Sequence, residues 1–448
     1  SRCAGWLVVA AVCVGAFMGQ LDASIVTVGL PRLSHGLHAS VGATQWVSLS
    51  YLLTLVALVA PFGSWADSIG RKSLYVAGFA VFGVASAGCA VAPDLPVLCA
   101  ARVLQAVGAA LLQANSVALI ATNVSDARLG RALGAQAAAQ AIGLAAGPAI
   151  GGLLLAVGSW RLLFLANVPA AVIGVASGVL LLPRSRELQP LRRVDRVGVV
   201  GFVTTLGVLL LAMSLASGPG GDRLLALPVG AVAVIAMAAL IRQQRRSRAP
   251  LFDPRLIARR AVRRGLVNAG VGYAVVFGTL FAAAFALAHG VGAGQAGLVL
   301  AALPVGIGLA AAFTRHSPHG VPQRSQLAGP AITVAGLAAI AVLVPSAPVL
   351  AALLCVVGFG FGMFTPANNQ AVMRAARQAP GAASGLLNLA RGVGTAAGTG
   401  VAALAVAATT QQGAGNGLRC AAAVFAAAYL LVWLRAADGR FAASRAGK

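Results

Sequence analysis

Charge is the scarcest property of this chain. Of its 448 residues 9% are charged, against about 25% in soluble domains, while 59% are hydrophobic and mean hydropathy is +0.89. That balance excludes a soluble globular protein and reads as an integral membrane protein. Acids are scarcer still, nine against 33 Lys and Arg, and too dispersed for a di-carboxylate catalytic site. Lysine occurs only at positions 72 and 448; with so much Ala and Gly, the arginine bias points to a GC-rich, bacterial genome. No polar stretch is long enough to fold alone, so nothing resembles a nucleotide-binding domain that could drive export with ATP. The six cysteines (Cys3, Cys13, Cys89, Cys99, Cys355, Cys420) show no CxxC or other paired spacing and read as small apolar fillers. Five histidines lie at span edges or in loops, and HExxH is missing. No metal site, no cofactor and no enzymatic activity are therefore expected.

The formal charge of +24 invites a nucleic-acid reading. The basic residues, however, form short clusters between apolar runs, with no contiguous polar surface. They read as topology signals and as contacts for membrane lipids, including anionic inner-leaflet lipids. Arg2 before an apolar run imitates a signal peptide, but that run is too long and many equally apolar runs follow it.

A helix crossing about 30 Å of hydrocarbon needs about 20 apolar residues. That ruler predicts fourteen spans, near 5–30, 43–66, 73–92, 96–123, 131–157, 162–182, 196–216, 224–242, 263–289, 294–313, 326–344, 347–373, 381–408 and 417–435. With a cytoplasmic N-terminus, 27 of the 33 Lys and Arg residues fall in inner loops and tails. Arg32, Arg161, Arg223 and Arg419 fall outside, and Arg102 and Arg391 within spans. The expected fold is an all-α membrane protein: an N-terminal six-helix bundle (1–183), cytoplasmic linkers with two extra helices (184–262), and a C-terminal six-helix bundle with tail (263–448). Both termini are expected in the cytoplasm of a bacterium, the protein sitting in its inner (plasma) membrane.

The loop after the second span reads "GSWADSIGRK", with Gly63, Asp67, Gly70, Arg71 and Lys72 at a spacing that allows a tight charged turn at the membrane edge. It resembles the signature of the major facilitator superfamily. Three more stretches carry the likeness: "RVLQAVGAALLQ", "GLAAGPAIGG" with Gly143, Gly147, Pro148, Gly151 and Gly152, and "LDASIVTVGLP". The last two are similar to the fifth- and first-helix motifs of the fourteen-helix drug:proton antiporters. The resemblance implies two pseudo-symmetric six-helix halves, a latch loop at Asp67, and proton-driven export of a small amphipathic substrate by a functional monomer. The second half lacks the latch motif. Ser24 stands where the family has Thr.

Helical spacing sorts the polar residues within spans onto stripes. The cavity candidates are Gln20, Trp46, Gln105, Gln113, Asn115, Gln136, Gln140, Asn369, Asn388 and Arg391. "GAALLQANSVAL" and "GMFTPANNQAVM" align without gaps, placing Asn115 opposite Asn369 as an echo between halves. Each stripe has a plainer alternative, since glycines mark close helix packing and amides bond across helices. Asp22 stands apart. A carboxylate in mid-bilayer costs about 2.5–3.5 kcal/mol on insertion scales. Asp22 can shed that charge by binding a proton, whereas Arg102 cannot lose its own. Asp22 is therefore expected to carry the proton, with Arg102 tuning it; a permanent Asp22–arginine pair is the alternative.

Overall fold

Every regular element among the described residues of the computed structural model is helical. Those residues are 2–183, 196–216, 220–247, 254–288, 290–315, 325–343, 346–376, 380–409 and 414–445. The helices run α1 (Arg2–Gly36), α2 (Val41–Thr44), α3 (Trp46–Ile69), α4 (Arg71–Val91), α5 (Leu95–Asn123), α6 (Asp126–Val157), α7 (Arg161–Leu165), α8 (Asn167–Leu181) and α9 (Arg196–Ala216). They continue with α10 (Gly220–Arg246), α11 (Pro254–Ala258), α12 (Arg260–Leu287), α13 (Ala293–Arg315), α14 (Ser325–Val342), α15 (Ala347–Ala375), α16 (Pro380–Thr409) and α17 (Ala414–Arg445).

Local chemistry explains several boundaries. Asp94 caps α5, its Oδ1 accepting the Val97 N–H at 2.8 Å, with proline in the first turn where no N–H is needed. Ser40 Oγ caps α2 in the same way. Between α3 and α4 there is one residue, Gly70, at φ 105°, a conformation that a side chain would strain. The joints α2–α3 and α7–α8 are milder: Gln45 and Ala166 keep helical angles, so each pair continues as one apolar rod.

Two compact units divide the chain: Ser1–Leu211 with Pro228–Leu251, and Ala212–Leu227 with Phe252–Lys448. In the first, α1 packs along α6, α5 receives both α3 and α4, and α4 meets α8. In the second, α12 packs along α16, α15 receives both α13 and α14, and α14 meets α17. The pairings match helix for helix, and so do their devices. A Cβ on Gly108 of α5 would lie 2.7 Å from the Gly78 carbonyl oxygen of α4; on Gly329 of α14 it would lie 2.6 Å from that of Gly360 on α15. Gly143 and Gly147 bring α6 onto the α1 backbone, as Gly394 and Gly398 bring α16 onto α12. Small residues at such crossings let backbones approach where lipid supplies no hydrophobic drive.

Among the described residues twelve helices are long and apolar enough to cross a membrane. The other two expected spans correspond to shorter apolar segments, Leu327–Val342 and Gly415–Leu431. The most outward-facing of the twelve is Leu224–Arg246, only 11% buried. Leu224, Leu227, Val234 and Ile235 are all exposed on it. Such a surface suits hydrocarbon and not water.

Candidate functional site

Among the described residues the first unit buries an ion pair. Asp22, midway along α1, is fully buried, and Arg102 of α5 is 1% exposed. Arg102 Nη1 donates to Asp22 Oδ2 at 2.7 Å. Asp22 Oδ1 accepts two further N–H groups, from Gln105 Nε2 at 3.0 Å and from Asn167 Nδ2 at 2.8 Å. Arg102 also donates through Nε to the Val47 carbonyl at 3.0 Å and through Nη1 to Gln105 Oε1 at 2.6 Å. Its guanidinium carbon lies 4.2 Å from the centre of the Tyr51 ring and 5.8 Å from that of Phe164. A second layer completes the cluster. Gln105 Nε2 donates to Ser86 Oγ at 2.8 Å, and Ser86 Oγ donates to the Phe82 carbonyl.

Five of the unit's helices therefore converge on one charge. α1 supplies the acid, α5 the cation and an amide, α8 an amide, α4 a hydroxyl, and α3 a carbonyl and an aromatic face. In so dry a setting a carboxylate is tolerated only when paired and hydrogen-bonded. Here both conditions hold. The pair is neutral as it stands. Removing either charge strands the other among aromatic and aliphatic walls.

Residues 12–399 match the Major Facilitator Superfamily. The chain belongs to this superfamily. Over 400 residues it is 30% identical to the drug efflux pump JefA of Mycobacterium tuberculosis, covering 87% of this chain and 78% of that one. Over 374 residues it is 28% identical to the riboflavin transporter RibZ of Clostridioides difficile, covering 82% and 80%. The inward-open xylose transporter XylE of Escherichia coli shares its fold at a TM-score of 0.63, with 13% identity over 96% of both chains. Superfamily membership makes the chain a multi-pass membrane transporter of small molecules and not an enzyme.

Within this superfamily member, the other expected site residues are distributed as follows. Gln105 joins the ion pair directly. Asn115 is buried, donating to the Leu111 carbonyl while its Oδ1 meets no donor among the described residues. Asn369, its sequence echo, has a buried Oδ1 in the same condition. Gln136 Nε2 donates to Ser116 Oγ at 3.1 Å, a hydrogen bond between α6 and α5. Gln20, Trp46, Gln113 and Gln140 are partly buried and stand outside the charge cluster. Arg391 of α16 donates to Asn388 Oδ1 at 3.2 Å.

The glycine stripe of α6 is a packing seam. A Cβ on Gly143 would strike the Phe17 carbonyl and one on Gly147 the Ser24 side chain, while one on Gly151 would press Ile25 Cγ1 at 3.0 Å. Pro148 and Gly152 are buried on the same helix. In the charged loop, Gly63 has open space around it, Asp67 lies on the last turn of α3 with its side chain outside the described residues, and Arg71 opens α4. Lys72 Nζ donates to the carbonyls of Val179 at 2.7 Å and Leu182 at 2.6 Å, tying the loop to the C-terminal end of α8.

Asn167, Ser86 and Tyr51 complete the cluster although sequence reasoning did not assign them to it. Asn167 sits inside "SWRLLFLANVP", next to a turn, where a neutral amide reads as helix-start chemistry. No charge marks it. Cys13, Cys89, Cys99, Cys355 and Cys420 are free thiols. No group of three or more metal-ligating side chains gathers among the described residues.

Proposed function

We propose that this transporter is a proton-coupled exporter of small amphipathic molecules, working by alternating access as a drug:proton antiporter. The observation that carries the reading is the buried Asp22 carboxylate with its donors on α5 and α8. Intramembrane ionisable groups of this kind mark transport pathways by default. A proton on Asp22 would leave Arg102 charged, buried and without its counter-ion, a loss of about 3–5 kcal/mol for a broken buried pair. Protonation is thus tied to movement: Asp22 takes its proton only as Arg102 finds water or another acceptor. One binding event then biases the packing of α1 against α5 and α8. The energy comes from the proton gradient, with no resident cofactor.

The remaining assignments follow from the same reading. Fourteen spans, two six-helix halves (1–183 and 263–448) and a two-helix insert (184–262) place both termini in the cytoplasm of a bacterial cell. The protein works there as a monomer in the plasma membrane, its basic loops against anionic lipid. Gly63, Asp67, Gly70, Arg71 and Lys72 form the latch, and the stripe from Gly143 to Gly152 is the seam on which α6 moves against α1. A relative named for one vitamin supports a second reading, export of a single dedicated compound such as a metabolite, antibiotic or lipid.

The test uses proteoliposomes loaded with pyranine and a panel of cationic, neutral and anionic amphiphiles. Substrate should drive a counterflow of protons in the wild type. Asp22→Asn should abolish that flux at least tenfold while retaining substrate-for-substrate exchange. Full proton flux in Asp22→Asn would remove the carrier role.

A further inference from the structure

The second unit holds a guanidinium with no carboxylate partner among the described residues. From Pro254 to Ala437 the sequence contains no Asp or Glu. Arg391 lies in that stretch, eleven residues beyond the start of α16, about 16 Å along its axis at 1.5 Å per residue. It is only partly exposed, and its Nε is buried with no acceptor among the described residues. Its recorded partners are neutral: Asn388 Oδ1 at 3.2 Å, and the Tyr273 ring, whose centre is 5.5 Å from the guanidinium carbon. Arg102 gives the contrast, with a carboxylate, a carbonyl and an amide oxygen around it.

An arginine cannot relieve this by losing its proton. An amide and a ring face leave its buried Nε–H without an acceptor among the described residues, and the fork is shaped for two parallel bonds to an oxyanion. The walls beside it are aromatic. Tyr273 of α12 is stacked on Phe277, ring centres 6.2 Å apart, and meets Phe361 of α15 edge to face at 5.3 Å. A flat ring system with an acidic oxygen at one end satisfies both features: its plane lies against the aromatics and its charge meets the guanidinium.

We propose that Arg391, with Asn388 and Tyr273, recognises the anionic group of the transported molecule, and that this molecule is a planar aromatic amphiphile bearing a carboxylate or comparable oxyanion. The proposal rests on the exporter reading above and adds the substrate class. It makes Arg391 a binding residue with no part in proton transfer.

The test compares 9-anthracenecarboxylate with its neutral isostere 9-anthracenecarboxamide, by equilibrium dialysis against the detergent-solubilised full chain. The wild type should bind the carboxylate at least tenfold more tightly. Arg391→Gln should bring the two within twofold by loss at the carboxylate alone, and Arg391→Lys should keep part of the preference. Gel filtration and circular dichroism establish that each variant is folded. Equal affinities in the wild type, binding of neither probe, a preference that survives Arg391→Gln, or equal loss of both probes would each overturn the proposal. So would displacement of the carboxylate by short-chain phosphatidylglycerol more tightly than it binds, which would mark a lipid headgroup site. Failure here is separable from failure of the exporter reading. Proton flux driven by other members of the panel, with no advantage for the carboxylate, would sink the anion site alone.

Discussion

Asp22 accepts three N–H groups and Arg102 donates to three oxygens, but each is the other's only charged partner among the described residues. That sets an order among variants. Arg102→Met leaves a buried carboxylate with its amide donors but no counter-charge and should lower stability by about 3–5 kcal/mol. The double variant Asp22→Asn with Arg102→Met removes both charges and should be more stable than Arg102→Met alone. Thermal midpoints in detergent, followed by fluorescence-detected gel filtration, check the order; a double variant less stable than the single one would refute it. Asn167→Ala removes one donor from the ionised carboxylate and should cost about 1–3 kcal/mol by the same measurement. The legibility of the site follows the same logic. Asp22 and Arg102 stand out in the sequence because charge among apolar residues is expensive wherever it lies. Asn167 and Ser86 are neutral, cheap to leave in many places, and become partners only when α8 and α4 are laid against α1 and α5.

At the scale of elements, glycines separate into those that set a distance and those that set nothing. Gly143 and Gly147 hold α6 against the α1 backbone at Phe17 and Ser24, whereas a Cβ on Gly19 or Gly63 would meet open space. Gly147→Val should therefore overpack the seam and lower stability by about 1–3 kcal/mol or prevent folding, while Gly19→Ala and Gly63→Ala should leave the thermal midpoint unchanged. Expression and thermal midpoint of the four glycine variants, Gly143→Ala included, decide this; a damaging Gly19→Ala with a harmless Gly147→Val would contradict it. Sequence periodicity marks the first-half stripe. The matching seam of Gly394 and Gly398 against Gly270 and Ala274 is hard to see because those glycines sit among many others in "RGVGTAAGTG". The long apolar helices are legible for a simpler reason: hydrocarbon thickness fixes their length. Where polar residues cut into an apolar run, as around α14 and α17, length alone says less, and the segments fall to Leu327–Val342 and Gly415–Leu431.

For the whole molecule, the arginines expected outside are the informative exceptions to the charge rule. Arg161 Nη2 donates to the Ala92 carbonyl at the end of α4, and Arg419 Nε to the Ala341 carbonyl near the end of α14, at 3.1 and 2.9 Å. A cation at a helix C-terminus satisfies carbonyls left without a partner and opposes the helix dipole. These two arginines therefore have local work, and they do it at corresponding places in the two units. The fourteen-span topology then makes a sharp prediction. In a background with every cysteine replaced by alanine, Ser346→Cys and Gly415→Cys should react with a membrane-impermeant maleimide in intact cells. Ser247→Cys and Lys448→Cys should react only after permeabilisation. If α14 did not cross, the chain would arrive at Ser346 on the cytoplasmic face, and both outer sites would fall silent. If α17 did not cross, Gly415→Cys would still label, but Lys448→Cys would label from outside as well. Each failure has its own signature, so the four cysteines separate fourteen crossings from any count that omits either short helix.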